Sequence, residues 1–331
     1  MLNPLSRMKA LAIASITCLL LTTLSHQTFA QTGPQLYIVP FAENANFETT
    51  DGMFSIFQNN TNNNNELDLF YIWSESRAKL DAIDLPQMRV GYEVRSLVTN
   101  STSPIIPSAL NNINVGFSYD FGEIFDNWEL AGTAGAGTAN DGNFGNGTSY
   151  YGMGTVILSY IFNPQQKIAV GVSFDGNRDI FPDTPLPFIQ YYHFVSPEFQ
   201  YSLGFYNTLN WKPIDYFQIN AGGGIFLGGQ VIGAEVRASY FPVDGVELFL
   251  NFDNTTEGYY QEGQGLTRIF YMYNIAGGGI SVDLAENLNI AVGGGYAFNQ
   301  RFATGFDFRD LSTIERPEDS PALFINIEAS F

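Results

Sequence analysis

The stretch PALFINIEASF, residues 321–331, ends the sequence on an aromatic ring. Leu323, Ile325, Ile327, Ala329 and Phe331 share one parity; Asn326, Glu328 and Ser330 share the other, with Phe324 as the exception. Successive side chains of a strand point to opposite faces, so this is a strand with one apolar and one mostly polar face. The rest of the sequence must say what covers the apolar face.

The same period recurs along the chain. In MRVGYEVRS (88–96), Met88, Val90, Tyr92 and Val94 oppose Arg89, Gly91, Glu93 and Arg95. INVGFSYDF (113–121) sets Ile113, Val115, Phe117, Tyr119 and Phe121 against Asn114, Gly116, Ser118 and Asp120. KIAVGVSFD (167–175) and EFQYSLGFYNTLNWK (198–212) continue it, the latter with Phe199, Tyr201, Leu203, Phe205, Leu209 and Trp211 on one face. Connections alternate in length. NPQQ (163–166), KPID (212–215), PVDG (242–245) and LAEN (284–287) are short. TTDGMFSIFQNNTNNNNE (49–66), NSTSPIIPSALN (100–111), NDGNFGNGTS (140–149), GNRDIFPDTPLP (176–187), DNTTEGYYQEGQG (253–265) and FATGFDFRDLSTIERPEDS (302–320) are long. Short turns on one rim and long loops on the other describe an up-and-down meander.

Composition narrows the setting. Arg7 and Lys9 precede an apolar stretch from Ala10 to about Leu21, and small residues surround a cleavage point after Ala30; residues 1–30 read as a secretory signal peptide. Cys18 lies inside it, so the domain over 31–331 has no cysteine and no disulfides. Without Arg7 and Lys9, 12 basic residues face 33 acidic ones, a net charge of −21. That balance excludes nucleic acid, whose affinity comes mainly from Lys and Arg on phosphates. Charged residues are only 14% while aromatics reach 15%, which separates the chain from disordered acidic sequences.

The alternating runs reach the length that a tilted strand needs to cross a bilayer, about 9–11 residues, and are too long for an ordinary sandwich. The expected fold is an all-β transmembrane antiparallel barrel. Strands are expected near 36–48, 66–78, 88–98, 112–121, 128–138, 150–162, 167–175, 199–212, 216–226, 231–240, 246–253, 267–282, 288–301 and 321–331. That gives about 14 strands, with 12 and 16 as alternatives, because the strands at 66–78 and 128–138 alternate poorly and FIQYYHFVSP (188–197) reads either as a further strand or as a folded loop. The connection from Gly176 to Pro197 is expected to fold inward or across the mouth rather than hang in solvent, and the last strand to close the barrel on the first. Phe121, Phe125 and Trp128 flank one short turn, Tyr160 and Phe162 another; Trp211, Tyr216 and Phe217 flank a third, and Tyr240 and Phe241 a fourth, as in a membrane-interface girdle.

The terminal Phe331 with apolar residues at every second position before it resembles the assembly signal of bacterial outer-membrane β-barrels. The middle of the chain, PLPFIQYYHF (185–194) through LGFYNTLNWKP (203–213), is similar to a family of domains of unknown function among outer-membrane proteins; that resemblance implies no activity or site residues.

Candidate chemistry is sparse. His193 with Ser196 and Glu198 has the residue types of a lipid hydrolase, in which a base activates a nucleophile, but no separate motif supports it, and an interface histidine is the plainer reading. The triplets Gly222–Gly224, Gly277–Gly279 and Gly293–Gly295 lack a following Lys-Ser/Thr and read as room for neighbouring rings. Asp175, Asn177 and Asp179 have calcium-like spacing, yet Ile180 and Leu186 stand where such a loop needs Gly and Glu. Inward charges are the better candidates: Arg89, Glu93, Arg95, Lys167, Glu235, Arg237 and Arg268 either set selectivity in an open lumen or pair and close a narrow one.

The sequence therefore leads to the expectation of an outer-membrane barrel, without cofactor or metal, acting as a passive channel or uptake porin for small polar solutes rather than as an enzyme. A closed barrel with a structural, adhesive or surface-binding role through acidic loops is the alternative, and a lipid-modifying enzyme the second. Expected partners are the bilayer with its outer-membrane lipids, the barrel-assembly machinery and small polar solutes.

Deleting Phe331 is expected to lower the amount of barrel in the outer membrane and to raise periplasmic precursor. Burial of the ring alone accounts for at most about 1.5–3 kcal/mol, so the truncated chain should still refold in detergent. Normal outer-membrane levels of that chain would remove the assembly-signal reading.

Overall fold

The computed structural model describes residues 32–33, 35–38, 41, 45–62, 65–80, 85–224 and 233–331; the leader expected over 1–30 lies outside them. The wall consists of β1 (Phe47–Asn60), β2 (Glu66–Leu80), β3 (Leu85–Ser101), β4 (Ala109–Phe125), β5 (Trp128–Asn140), β6 (Tyr150–Asn163), β7 (Gln166–Asp175) and β8 (Leu186–Ser196). It continues through β9 (Phe199–Gly204), β10 (Tyr206–Ile214), β11 (Phe217–Gly224), β12 (Gly233–Val243), β13 (Val246–Tyr260), β14 (Arg268–Ala285) and β15 (Leu288–Gly305). A short β16 (Ser312–Glu315) pairs only with the top of β15, and β17 (Ser320–Ser330) completes the wall. β17 pairs antiparallel with β1, from Glu48 opposite Ser330 to Ile56 opposite Ala322, so 16 strands form a closed ring. Closure leaves no edge, as a wall in hydrocarbon requires.

Three strand assignments differ from the sequence reading. The first strand is 47–60, not 36–48: Leu36, Tyr37 and Phe41 are all buried, and Gln35–Ile38 form one helical turn, α1. β1 reads as a polar loop because Thr49, Asp51 and Ser55, opposite Ala329, Ile327 and Leu323, interrupt the outward apolar residues Met53 and Phe57, while Phe54 and Ile56 point inward. The segment 186–196 is a full strand, so the connection before it shortens to 176–185. The run 199–212 is two strands, because the chain reverses at Gly204 and Phe205. Gly204 has φ +148, and a Cβ there would meet the Ile189 carbonyl at 2.2 Å. These changes raise the expected 14 strands to 16.

Parity otherwise holds. Val115, Phe117, Val156, Val172, Leu250 and Leu323 are exposed on the outer face, a lipid-facing band. The exception Phe324 points inward. Its ring lies over Gly293, and that of Phe249 over Gly279, where Gly277, Gly278 and Gly279 pair with Gly295, Gly294 and Gly293. The two rings are 5.9 Å apart. The glycine triplets thus make room for inward aromatics.

The wall is uneven. β9, β10 and β11 have 6, 9 and 8 residues, whereas β14 and β15 have 18 each. Strict alternation stops at the top of the tall side: Thr255–Tyr260 and Arg268–Tyr273 are buried without interruption. This hairpin end leans over the mouth, and Tyr260 pairs in parallel with Asn140 of β5. Most of what reads as the loop 253–265 is therefore a folded-in cap.

Gly293→Ala tests the ring seats. Its Cβ would lie 2.3 Å from Phe324 Cζ and 2.6 Å from the Gly278 carbonyl, so a loss of about 1–3 kcal/mol is expected in denaturant titrations of the detergent-refolded barrel. The loss should shrink when Phe324→Leu is added, and an unchanged midpoint would contradict the packing.

Candidate functional site in the lumen

The β2–β3 pair displays the interior layer by layer. From the short-turn rim upward its inward pairs are Lys79 with Arg89, Arg77 with Gly91, Glu75 with Glu93, Trp73 with Arg95, and Tyr71 with Leu97. A basic layer is followed by an acidic one and then by an apolar one. β2 alternates poorly in sequence for this reason: its upper inward positions, Leu67, Leu69, Tyr71 and Trp73, belong to an aromatic core rather than to a wet lumen.

The basic layer grips the chain's own N-terminal segment. Arg89 Nη1 donates to the carbonyls of Leu36 and Tyr37 at 3.2 and 2.8 Å, and Lys79 Nζ donates to the Ala45 carbonyl at 2.7 Å. The Phe41 ring lies under Arg77, Lys79 and Arg89, with the cations 4.3, 4.7 and 5.7 Å from its centroid. Such contacts contribute about 0.5–2 kcal/mol each, more as water is excluded. Tyr37 packs against Ala131, Ile157, Ala169 and Phe188 on the wall. Small residues permit this approach: Thr32 and Gly33 lie against Gly116, where a Cβ would be 3.4 Å from Thr32 Cβ. Lys167 lies 3.5 Å from Glu129 Oε2 and 5.5 Å from the Tyr37 ring.

Above this, charges meet across the barrel. Arg95 pairs with Glu93 on its own strand and reaches Glu257 on β13, Nη1 to Oε1, at 2.9 Å. Glu257 also accepts from the hydroxyls of Tyr71 and Tyr259. Arg237 holds Glu247 with two bonds of 2.9 Å while stacking 3.7 Å over Phe249, and Tyr206 donates to Glu235 at 2.8 Å. Tyr71, Leu97, Leu110, Tyr259, Tyr271 and Phe302 belong to the apolar layer that fills the upper lumen.

Arg268 belongs to the cap. Its guanidinium is fully buried and donates to the carbonyls of Phe306, Asn177 and Arg178 at 2.9, 2.9 and 3.0 Å. The loop with calcium-like spacing is built around this side chain. Arg178 adds a bond to the Ser173 carbonyl at 2.9 Å, and Asp307 accepts from the Phe181 N–H at 3.1 Å, tying the 176–185 loop to the β15–β17 connection. The connection expected to cross the mouth does so, in shortened form. Partial burial works against ionised Asp307, but bonds from Arg309 and from the Arg309 and Phe181 N–H groups keep its carboxyl below the ordinary range.

His193 faces outward near the short-turn rim, with Nδ1 2.9 Å from the Tyr201 hydroxyl and Nε2 3.2 Å from Gln166 Nε2. It sits among Tyr191 and Tyr201, as an interface-belt histidine would. Phe331 is 61% exposed at the same rim, its backbone exchanging bonds with Phe47 at 2.7 and 2.8 Å.

Three lumen elements escape sequence reasoning. The N-terminal segment reads as a strand, Glu257 reads as part of a loop, and Glu75 is hidden on a poorly alternating strand. The available signal is LYIVPF (36–41), an apolar run interrupted by Pro40.

The profile of a family described as a domain of unknown function, DUF6268, matches residues 95–328. No curated protein matches the chain in sequence. Among solved structures, the Pseudomonas putida toluene transporter TodX is similar over 92% of this chain and 95% of its own, at 10% identity and a TM-score of 0.42. A bacterial polysaccharide outer-membrane secretin is similar over 86% and 98%, at 8% identity and TM-score 0.41. The translocator domain of the autotransporter NalP from Neisseria meningitidis is similar over 87% and 90%, at 9% identity and TM-score 0.34. These likenesses concern overall architecture and assign no solute.

Proposed function

The chain belongs to the DUF6268 family of domains of unknown function, and we propose that it is an outer-membrane channel for small polar solutes, held shut from within. One observation carries this reading: Leu36, Tyr37 and Phe41, from the N-terminal segment, are buried against inward wall side chains in the lower lumen. A 16-stranded ring encloses more space than its own side chains fill. The space here admits Leu36, Tyr37 and Phe41, and the polar groups that hold them are the ones a solute would meet. In this proposal Arg89, Lys167 and their neighbours act first as the latch of a plug and, once it leaves, as lining. Arg95 with Glu93 and Glu257 forms a second closure above. Delivery to the outer membrane through a cleaved leader, and insertion by assembly machinery reading Phe331, belong to the same proposal.

A second reading has its own support. The apolar layer of Leu97, Tyr259, Tyr271 and Phe302 packs like a dry core, which suits a permanently closed barrel acting through its surface loops.

Planar-bilayer recording separates the two. The full chain should be nearly silent. Deleting residues 32–45 should open the lower lumen, and adding Arg95→Ala, which releases the Glu257 contact of the second closure, should give stepwise ion conductance. Silence of both variants, with the barrel folded, would contradict the channel and leave the closed barrel.

A further inference from the structure

The acidic layer between the plug and the aromatic core keeps buried polar atoms that the ion pairs and hydrogen bonds around it do not use. Glu75 and Glu93 are direct cross-strand partners on β2 and β3, and Glu235 and Asp253 are partners on β12 and β13. The two groups face each other through the lumen: Glu75 lies within electrostatic reach of Glu93, Arg95, Glu235 and Glu328, and Asp253 within reach of Arg95 and Glu257. Among the described residues, Arg95 is the guanidinium that bonds a carboxylate of this layer; Arg77 lies within electrostatic reach of Glu75 but is held by Glu48, and Arg237 is taken up by Glu247. Buried carboxylates in such number repel one another, and a bound cation would offset that cost.

Unused acceptors point to the same place. Glu75 is 3% exposed, and its Oε2 has no hydrogen-bond partner among the described residues. Asn114, 5% exposed, donates Nδ2 to Glu93 at 3.3 Å but leaves Oδ1 buried and unbonded. Asn326 Oδ1 is likewise a buried acceptor without a partner among the described residues, and Trp73 Nε1 beside it is a buried donor without one. Gly52 makes room for both side chains: a Cβ there would meet Asn326 Oδ1 and the Trp73 ring at 2.2 Å. The acceptors come from β2, β4 and β17, beside an indole. Acceptors spread over three strands suit a cation with several N–H donors.

We infer that this layer is a binding site for a small organic ammonium, held by Glu75 and Asn326 beside the Trp73 ring, with Glu93 and Asn114 completing one side. Multiple N–H donors match the spread acceptors, the positive charge offsets the carboxylates, and an aromatic face next to a cation adds attraction. The inference deepens the channel reading, on which it rests for its meaning, by naming the class of solute that passes or is held: cationic amines rather than anions or neutral sugars.

The test uses the full chain with Trp128→Phe and Trp211→Phe, both outward-facing, so that Trp73 alone reports. The protein is refolded in detergent with 1,4-diaminobutane, which gives the diamine access before the plug closes, and its emission is titrated. A saturable change in Trp73 emission is expected, with affinity at least tenfold weaker in Glu75→Gln. Asn326→Ala should weaken it too, and decides the matter if the first variant fails to fold. Neutral 1,4-butanediol and sodium chloride at matched ionic strength should give no saturable response. Absence of saturation, the same response to sodium, or undiminished affinity in the folded variants would overturn the site. Amine binding in a barrel whose plug-deleted form carrying Arg95→Ala never conducts would retain the site and reject the channel; conductance without amine binding would do the reverse.

Discussion

The pairing of β17 with β1 is the constraint on which everything else depends. Backbone N–H and C=O groups left open in hydrocarbon cost several kcal/mol each, so the sheet must close. It closes over nine consecutive partners from Glu48–Ser330 to Ile56–Ala322. With closure fixed, the period of two sorts every side chain to lipid or lumen, and a slip of one residue would exchange the sets. Arg89, Glu93 and Arg95 are then committed to the inside and Tyr92 to the outside.

Sixteen strands create an interior that their own side chains do not fill, and the chain fills it by three means. From below, a terminal segment enters and is gripped by Arg77, Lys79 and Arg89. From above, the hairpin end of β13 and β14 folds in and brings Glu257 and Tyr259 to Arg95 and Tyr71. At mid-height, glycine triplets let Phe249 and Phe324 stand inward. The sparse basic residues are concentrated where they hold chain to chain, which leaves the acidic layer in excess.

The outer face is legible in the sequence because lipid imposes one rule on the wall strands, β1 being the departure. The alternation at 88–96, 113–121 and 167–175, the four short turns and the even strand count all follow from it. The interior obeys no single rule. β1 escapes recognition because Thr49, Asp51 and Ser55 share its outward positions with Met53 and Phe57, which weakens the alternation signal. A reversal at Gly204 hides one strand inside a continuous alternating run, since parity survives on both sides of the turn. Parity finds the inward charges but not their partners: Glu257 lies 162 residues from Arg95, and only the closed ring brings them together.

The plug is the point on which the functional account turns, and a paired-cysteine experiment reaches it directly. The chain has one natural cysteine, Cys18, within the leader, so introduced thiols have little competition. Tyr37→Cys and Ala131→Cys place one thiol on the segment and one on the lumen wall it packs against. In intact outer membranes a short thiol–thiol cross-linker should join them in high yield, shifting the band on a reducing-agent-sensitive gel. Failure to cross-link, with the thiol introduced by Tyr37→Cys freely labelled by a bulky water-soluble reagent, would show that the segment does not occupy the lumen.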